Sequence, residues 1–368
     1  MQKIKRIAAY QIDLPLHEGS YNWSGGKSVQ VFDSTIVSIE TDDGFIGYGE
    51  CCPLGPFYLP AYAEGVRSGL KELGPYLLGL SATDHSQLNM VMDRCLKGHP
   101  HVKSPIDMAS WDIKGQTANM SVGQLLGGTY GDDFVLYRAI SQTEPEAMAE
   151  NVKKHRKEGY RRFQLKVGGD PDVDIERIRL VSEQLSPGDK LIADANTGWT
   201  MHEALRVIKA VGDIDVYIEQ PCDSYNECLS IRQRTIHPFI LDECINGIGI
   251  LIRGYTDKAM DVVNIKISKF GGITKAALAR DLCTQLGIAM TIEDSWGGDI
   301  TTSAIAHLAH STQPDLLFTA TDFNSYVTVR TADGAPQRND GRMKASIDPG
   351  LGIKPLMDVL GEPVIDIH

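Results

Sequence analysis

The chain has 368 residues, a net charge of −12, 42% hydrophobic residues and no basic run, which argues against nucleic acid and anionic membrane as partners. It is too long for one ordinary domain and suits a barrel of roughly 250 residues with a companion domain. No apolar stretch approaches the ~20 residues of a membrane span. The N-terminus MQKIKRIAAYQIDL has no signal-peptide apolar region, so a cytoplasmic location is expected. The seven cysteines are scattered without a CxxC pair, as expected of reduced thiols.

In chain order, residues 3–15 read as a strand, and Ser34–Thr41 and Phe45–Cys51 as a hairpin turning on Asp42-Asp43-Gly44. Two loops interrupt this pattern. EGSYNWSGGKSVQVF carries Tyr21 and Trp23, and CCPLGPFYLPAY carries three prolines with Phe57, Tyr58 and Tyr62. Loops with so many aromatics pack against something; a lid over a small-molecule site is the preferred reading, with local packing or a subunit contact as alternatives. Helical periodicity follows at Ala61–Leu77, His85–Leu96 and Ser104–Asn119, the last placing Ile106, Ala109, Trp111 and Ile113 on one buried side. Strands followed by helices predict an α+β domain over residues 1–128, bounded by the turn glycines of LLGGTYGDD.

Beyond it, strand and helix alternate. Strands are predicted at Phe134–Ile140, Arg162–Val167, Lys190–Ala195, Asp215–Glu219, Phe239–Asp242, Val262–Ile267, Ile288–Glu293 and Leu316–Ala320, with helices between them. This predicts an α/β fold, a (β/α)7β TIM-like barrel over 129–326 with the N-terminal domain as its companion. Residues 327–368, including PGLGIKPLMDVLGEP, are expected to return to the N-terminal domain.

The chemistry concentrates at predicted strand ends. Asp194 in LIADAN, Glu219 in YIEQP and Asp242 in ILDE are 25 and 23 residues apart, each about one strand–helix–strand repeat. Lys166 in FQLKVGG lies one repeat upstream and Lys269 in NIKISKFGG one repeat downstream. Barrel strand ends converge on one face, so three hard oxygen ligands flanked by two lysines describe a Mg²⁺ site with proton-transfer groups on either side. Side chains alternate along a strand, so Gln164 shares the facing of Lys166, and Asn196 that of Asp194. A proton α to a carboxylate is very weakly acidic, because its loss adds a second negative charge; a divalent cation stabilises the enediolate that results. A lone acid at a strand end is more often a helix cap, and a lone lysine a solvated surface residue. The weight lies in the ordered set of all these residues, which a scaffold protein on the same fold would have no reason to keep.

SPIDMASWDIKG, QLLGG, FQLKVGG, DANTGWT, IEQP, LDE, NIKISKFGG and PGLG together resemble the mandelate racemase/muconate lactonizing enzyme group of the enolase superfamily, over nearly the whole chain. The resemblance implies Asp194, Glu219 and Asp242 as ligands of one Mg²⁺ per subunit, and Lys166 and Lys269 as the acid/base pair. It also implies a capping domain whose aromatic loops close the site, and an even-numbered homo-oligomer, commonly an octamer. Many relatives have Lys-x-Lys on the second strand, where this chain has Gln164 first. IEDSWGGD holds no histidine where sugar-acid dehydratases keep a His–Asp dyad, which argues against sugar acids.

VFDSTIV, ECCPLGPFYLPAY, YRAIS and TIEDSWGGD are most similar to the members acting on proline derivatives, which include cis-3-hydroxy-L-proline dehydratases and hydroxyproline-betaine 2-epimerases. The expected substrate is therefore a small amino-acid carboxylate. The expected reaction is dehydration of cis-3-hydroxy-L-proline to a pyrroline-2-carboxylate, with 2-epimerisation of a proline betaine or another amino acid as the alternative. Tyr58, Trp23 and Trp296 are candidates for an aromatic cage around a betaine, while Asp294, Asp299 and Asp322 are candidates for pairing with substrate N–H groups. Phe323, in TATDFNSY at the end of the eighth strand, stands where a betaine reader would place the stronger π-face of tryptophan.

Overall fold

Apolar side chains along Ile4–Pro15, Val31–Thr41 and Ile46–Cys51 give these segments buried faces, and they pair as antiparallel strands in that order. The computed structural model describes residues 2–368. The C-terminal strand Ile365–Ile367 completes this sheet by pairing antiparallel with Ile7–Ala9, so the tail ends on the N-terminal domain. Helices Ala63–Leu73, His85–Cys95 and Pro100–Ala118 bury Leu70, Leu88 and Ile106 against Ile7, Val37 and Ile39.

The third helix lies almost on the backbone of the hairpin. A Cβ on Gly49 would stand 2.0 Å from the Pro105 carbonyl oxygen, and one on Gly47 would stand 2.2 Å from that of Ala109. Glycine is required by that close approach rather than by backbone conformation. Gly49→Ala is expected to cost about 1–3 kcal/mol through overpacking, seen as a lower urea midpoint at unchanged slope; an unchanged midpoint would contradict this packing.

That helix begins at Pro100, four residues before the expected start at Ser104. Pro100 occupies the first turn itself, and Pro105 sits inside the helix, where its missing N–H leaves the His101 carbonyl without its usual donor. The motif SPIDMASWDIKG therefore occupies mid-helix, where it docks the two domains. Asp107 accepts hydrogen bonds from the Thr274 backbone N–H at 2.9 Å and the Thr274 hydroxyl at 2.6 Å. Trp111 Nε1 donates to the same hydroxyl at 2.8 Å. Asp112 accepts from the N–H groups of Tyr48 at 3.0 Å and Leu351 at 2.8 Å, and burial pushes its carboxyl up to about 6. Glu50, fully buried at the end of the hairpin, accepts from the N–H groups of Gly298 at 2.8 Å and Thr301 at 2.9 Å. It thus caps a barrel helix from the companion domain.

The barrel strands are Arg138–Ile140, Arg162–Lys166, Lys190–Asp194, Val216–Glu219, Phe239–Leu241, Val262–Lys266, Ala289–Glu293 and Leu317–Ala320, eight parallel strands in chain order. A bridge between Leu136 and Ala320 and a 2.9 Å hydrogen bond from Tyr137 N–H to the Ala320 carbonyl join the eighth strand to the run entering the first. Helices Pro145–Lys157, Pro171–Ser182, Met201–Ala210, Tyr225–Arg232, Ile248–Thr256, Ile273–Leu286 and Asp299–His310 alternate with them. After the eighth strand comes only the single turn Phe323–Ser325, which makes the architecture (β/α)7β.

The predicted strand Phe134–Ile140 divides in two. Phe134–Val135 pairs with Arg342–Met343 at the foot of the barrel, and only Arg138–Ile140 enters the parallel sheet. The seven cysteines are free thiols. Among the described residues, no helix is long and apolar enough to cross a membrane.

Candidate active site

Strand register sets the catalytic face. Lys166, the last residue of the second strand, is in register with Asp194 on the third, which is in register with Glu219 on the fourth. The fifth strand stops at Leu241, placing Asp242 just beyond its end. Lys266 ends the sixth strand in register with Glu293 on the seventh. Asp194, Glu219 and Asp242 are each 1% exposed, so three carboxyl groups lie side by side out of water.

Above them is a cavity walled by Gln164, Lys166, Asn196, Lys266, Glu293 and Asp294. Tyr21 and Trp23 reach it from the first aromatic loop, Leu54 and Tyr58 from the second, and Trp296 and Phe323 from the barrel. Phe57 and Tyr62 instead face solvent, and Phe57 stacks on Trp23 with ring centroids 6.2 Å apart, linking the two loops. The free space is about 20 Å³, room for a water molecule rather than an amino acid, so the roofing loops have to move for a ligand to enter.

The second lysine on this cavity is Lys266, not Lys269. The strand ends one residue earlier than predicted, and Ile267–Phe270 forms a helical turn that carries Lys269 away from the cavity. Lys269 Nζ donates to the Asp242 carbonyl at 2.6 Å, the Asn264 carbonyl at 3.2 Å and Asp242 Oδ1 at 2.7 Å. Lys266 Nζ pairs with Asp242 Oδ2 at 2.6 Å and Glu293 at 3.4 Å, and touches the Tyr58 hydroxyl. Lys166, four strands away in a ring of eight, pairs with Asp194. Each lysine has a tyrosine ring from a capping loop nearby, Tyr21 at 5.9 Å for Lys166 and Tyr58 at 4.7 Å for Lys266.

Two further expected site residues lie elsewhere. Asp299, at the start of the seventh barrel helix, accepts from the N–H groups of Thr331 at 2.7 Å and Ala332 at 3.1 Å, tying down the C-terminal segment. Asp322 is buried and accepts from the Tyr160 hydroxyl at 2.9 Å. Neither carboxylate lines the cavity. Asp294 does, held by the N–H groups of Ser268 at 3.0 Å and Ser295 at 2.6 Å. Asn196 donates to Glu243 at 3.0 Å, and Gln164 to Glu219 at 3.0 Å.

Sequence reasoning missed Lys266, Glu293, Tyr137 and Asn264. Tyr137 donates to Glu293, and the Asn264 amide bridges Glu219 and Glu293. The signal for two of them was present: Asn264 and Lys266 repeat the two-residue alternation of Gln164 and Lys166.

Burial and crowding dominate the electrostatics. Burial, and then the charges of Asp194 and Asp242, push Glu219 well above the usual carboxylate range. Burial and the same neighbours push Glu243 up to about 8, and burial raises Asp294 to about 7. Burial acts to lower Lys166 and Lys266, but the carboxylates beside them prevail and hold both pKa values above that of free lysine. Asp242 lies well below the carboxylate range, because its two lysines outweigh burial.

Among the described residues, no three His, Cys, Asp or Glu side chains stand in metal-ligand geometry as placed; lysine ammonium groups hold the oxygens of Asp194 and Asp242. The donor set still fits a hard divalent cation. Asp194, Glu219, Asp242, Glu243, Glu293 and Asp294 are six acidic groups around three lysines, and Glu243 Oε2 and Asn196 Oδ1 are buried acceptors without a donor.

A parallel barrel bearing opposed lysines above buried acids, roofed by loops of a second domain, defines a capped (β/α)-barrel enzyme. The chain belongs to the mandelate racemase/muconate lactonizing enzyme family of the enolase superfamily: residues 25–127 match its N-terminal domain and residues 147–359 match the enolase C-terminal domain-like family. It is 59% identical over 362 residues to cis-3-hydroxy-L-proline dehydratase of Roseibium aggregatum, covering 98% of this chain and 99% of that one. A mandelate racemase/muconate lactonizing enzyme structure from Roseovarius nubinhibens ISM superposes with TM-score 0.97 at 40% identity, covering 100% of this chain and 99% of the other. A second structure from that organism, complexed with magnesium, gives TM-score 0.96 at 37% identity with 100% of both chains covered. Enzymes of the superfamily use Mg²⁺.

Proposed function

We propose that the chain dehydrates cis-3-hydroxy-L-proline to a pyrroline-2-carboxylate, with Lys166 and Lys266 as its proton-transfer groups. The observation that carries this reading is the pair of lysines on opposite walls of one closed cavity. In a cis-3-hydroxy acid the hydroxyl shares the carboxylate's face of the ring, so it is anti to the hydrogen on C2. Asp194 and Asp242 hold both lysines protonated as they stand; once those carboxylates are engaged by a cation, the lysine on one face can act in its neutral form and take the C2 proton. The opposite ammonium gives a proton to the departing hydroxyl, which leaves as water as the C2–C3 double bond forms.

Asp194, Glu219 and Asp242 are the residues that would hold Mg²⁺. Bound there, the cation supplies positive charge to the substrate carboxylate as the α-proton leaves. Tyr58 steadies Lys266 through its hydroxyl, which also donates to Asp242 at 2.8 Å. Tyr21 and Trp23 from the roof and Phe323 from the barrel exclude water. A free imino acid brings N–H donors for Asp294 or Glu293, which a betaine nitrogen lacks.

Incubation in D₂O with Mg²⁺ separates this reading from the epimerase alternative. Hydroxyproline betaine is expected to be recovered without deuterium at C2. Deuteration at C2 with conversion to the other diastereomer would assign the chain as an epimerase instead.

A further inference from the structure

At the opposite end of the barrel, the foot, is a cavity of about 450 Å³ that the reaction does not use. It is lined by Arg161 and Arg162 at the start of the second strand, His310 at the end of the last barrel helix, and Arg342 in the C-terminal segment, with Asp133 and Asp340 also on its wall. Arg342 is engaged with Asp133 at 2.7 Å, and Arg161 lies 3.9 Å from Asp189. Arg162 is different. Its side chain has neither a carboxylate partner nor a hydrogen bond, and Nη1 is buried without an acceptor. Its guanidinium carbon lies 5.2 Å from the centroid of the Phe318 ring. Burial, joined by the charge of Arg342, lowers this guanidinium to about 10.

A second orphan donor lies on the same wall. His310 Nδ1 accepts from the Ala345 N–H at 3.3 Å, so Nε2 carries the proton of the neutral ring. Carbonyls of Gly131 and Tyr130 lie near the ring, but none meets Nε2 in hydrogen-bond geometry. A half-buried cation whose Nη1 is buried without an acceptor, and a buried imidazole N–H likewise unmet, are costly to leave so. Both belong to a cavity far larger than a water molecule requires, in a protein whose net charge is −12.

We propose that this cavity binds a small oxyanion, a phosphate or a carboxylate, with Arg162 as its principal ligand, His310 Nε2 as a second donor, and Arg161 and Arg342 as flanking charge. The planar fork matches either anion. The Asp133–Arg342 pair limits how much negative charge the site accepts, favouring a compact ligand over a polyanion.

The test is a thermal-shift titration of the full chain with Mg²⁺, using inorganic phosphate in one arm and malonate in the other, at ionic strength matched with chloride. A saturable rise in melting temperature is expected in at least one arm, and the responding arm identifies the anion. In R162Q the apparent Kd is expected to weaken at least tenfold. R162K, which keeps the charge but loses the fork, is expected to fall between the two and serves if R162Q does not fold. K266A is expected to respond as the parent does, which separates this cavity from the catalytic lysines. No saturable rise in either arm, a rise that R162Q and R162K keep unchanged, or one lost in K266A would overturn the proposal.

Discussion

Lys266→Ala is expected to lower kcat by about 10²–10⁴, the range for losing a positioned acid or base, whereas Lys269→Met is expected to retain turnover within about tenfold wherever it is folded. Both ammonium groups lie against Asp242, so sequence proximity does not separate them; orientation does. Lys266 Nζ lies on the cavity between Asp242, Glu293 and the Tyr58 hydroxyl. Lys269 spends two of its three N–H donors on the carbonyls of Asp242 and Asn264, which is how a structural lysine closes a strand-to-helix turn. Breaking a buried pair costs about 3–5 kcal/mol, so both variants are expected to melt earlier, and the assay has to be run below both melting temperatures. Steady-state turnover with a melting curve for each variant is the check. A folded, inactive K269M beside an active K266A would return the role to Lys269.

Chelation is expected to have an effect at least as large. Excess EDTA should abolish turnover, and Mg²⁺ in excess should restore it. The reason lies in this chain's own charges: burial, then the charges of Asp194 and Asp242, push Glu219 well above the usual carboxylate range, and three lysines face six acidic groups. A bound divalent cation relieves that crowding, so Mg²⁺ should also raise the melting temperature, as for any ligand that binds only the folded state. Glu219→Gln removes a carboxylate from the proposed cation site and is expected to weaken the Mg²⁺ dependence of both readouts. Full turnover in excess chelator would remove the cation from this account.

Much of this was legible in the chain itself because barrel chemistry is periodic. Asp194, Glu219 and Asp242 each stand at or one residue beyond a strand end, and Lys166 at the end of the strand before them; repeat length alone located all of these. The errors arise where a single residue of strand length matters. Lys266 and Lys269 are both apposed to Asp242, and only the end of the strand at Lys266 decides which faces the cavity. Asp299 and Asp322 lie close in sequence to loops that do reach the cavity, yet their partners, Thr331, Ala332 and Tyr160, come from distant segments that no local pattern announces. The loop aromatics divide for a similar reason: Tyr58 turns inward and its neighbour Phe57 outward. The start of the helix at Pro100 was hidden by a second proline, Pro105, that reads equally well as a first-turn residue.

The central claim, that Lys166 and Lys266 work from opposite faces of a 3-hydroxyproline ring, is tested most directly by proton NMR of the purified protein with Mg²⁺ and cis-3-hydroxy-L-proline. The account predicts loss of the C3 carbinol signal with stoichiometric appearance of a pyrroline-2-carboxylate, abolished in both K166A and K266A. An unchanged carbinol signal over many enzyme equivalents of time and substrate would contradict it.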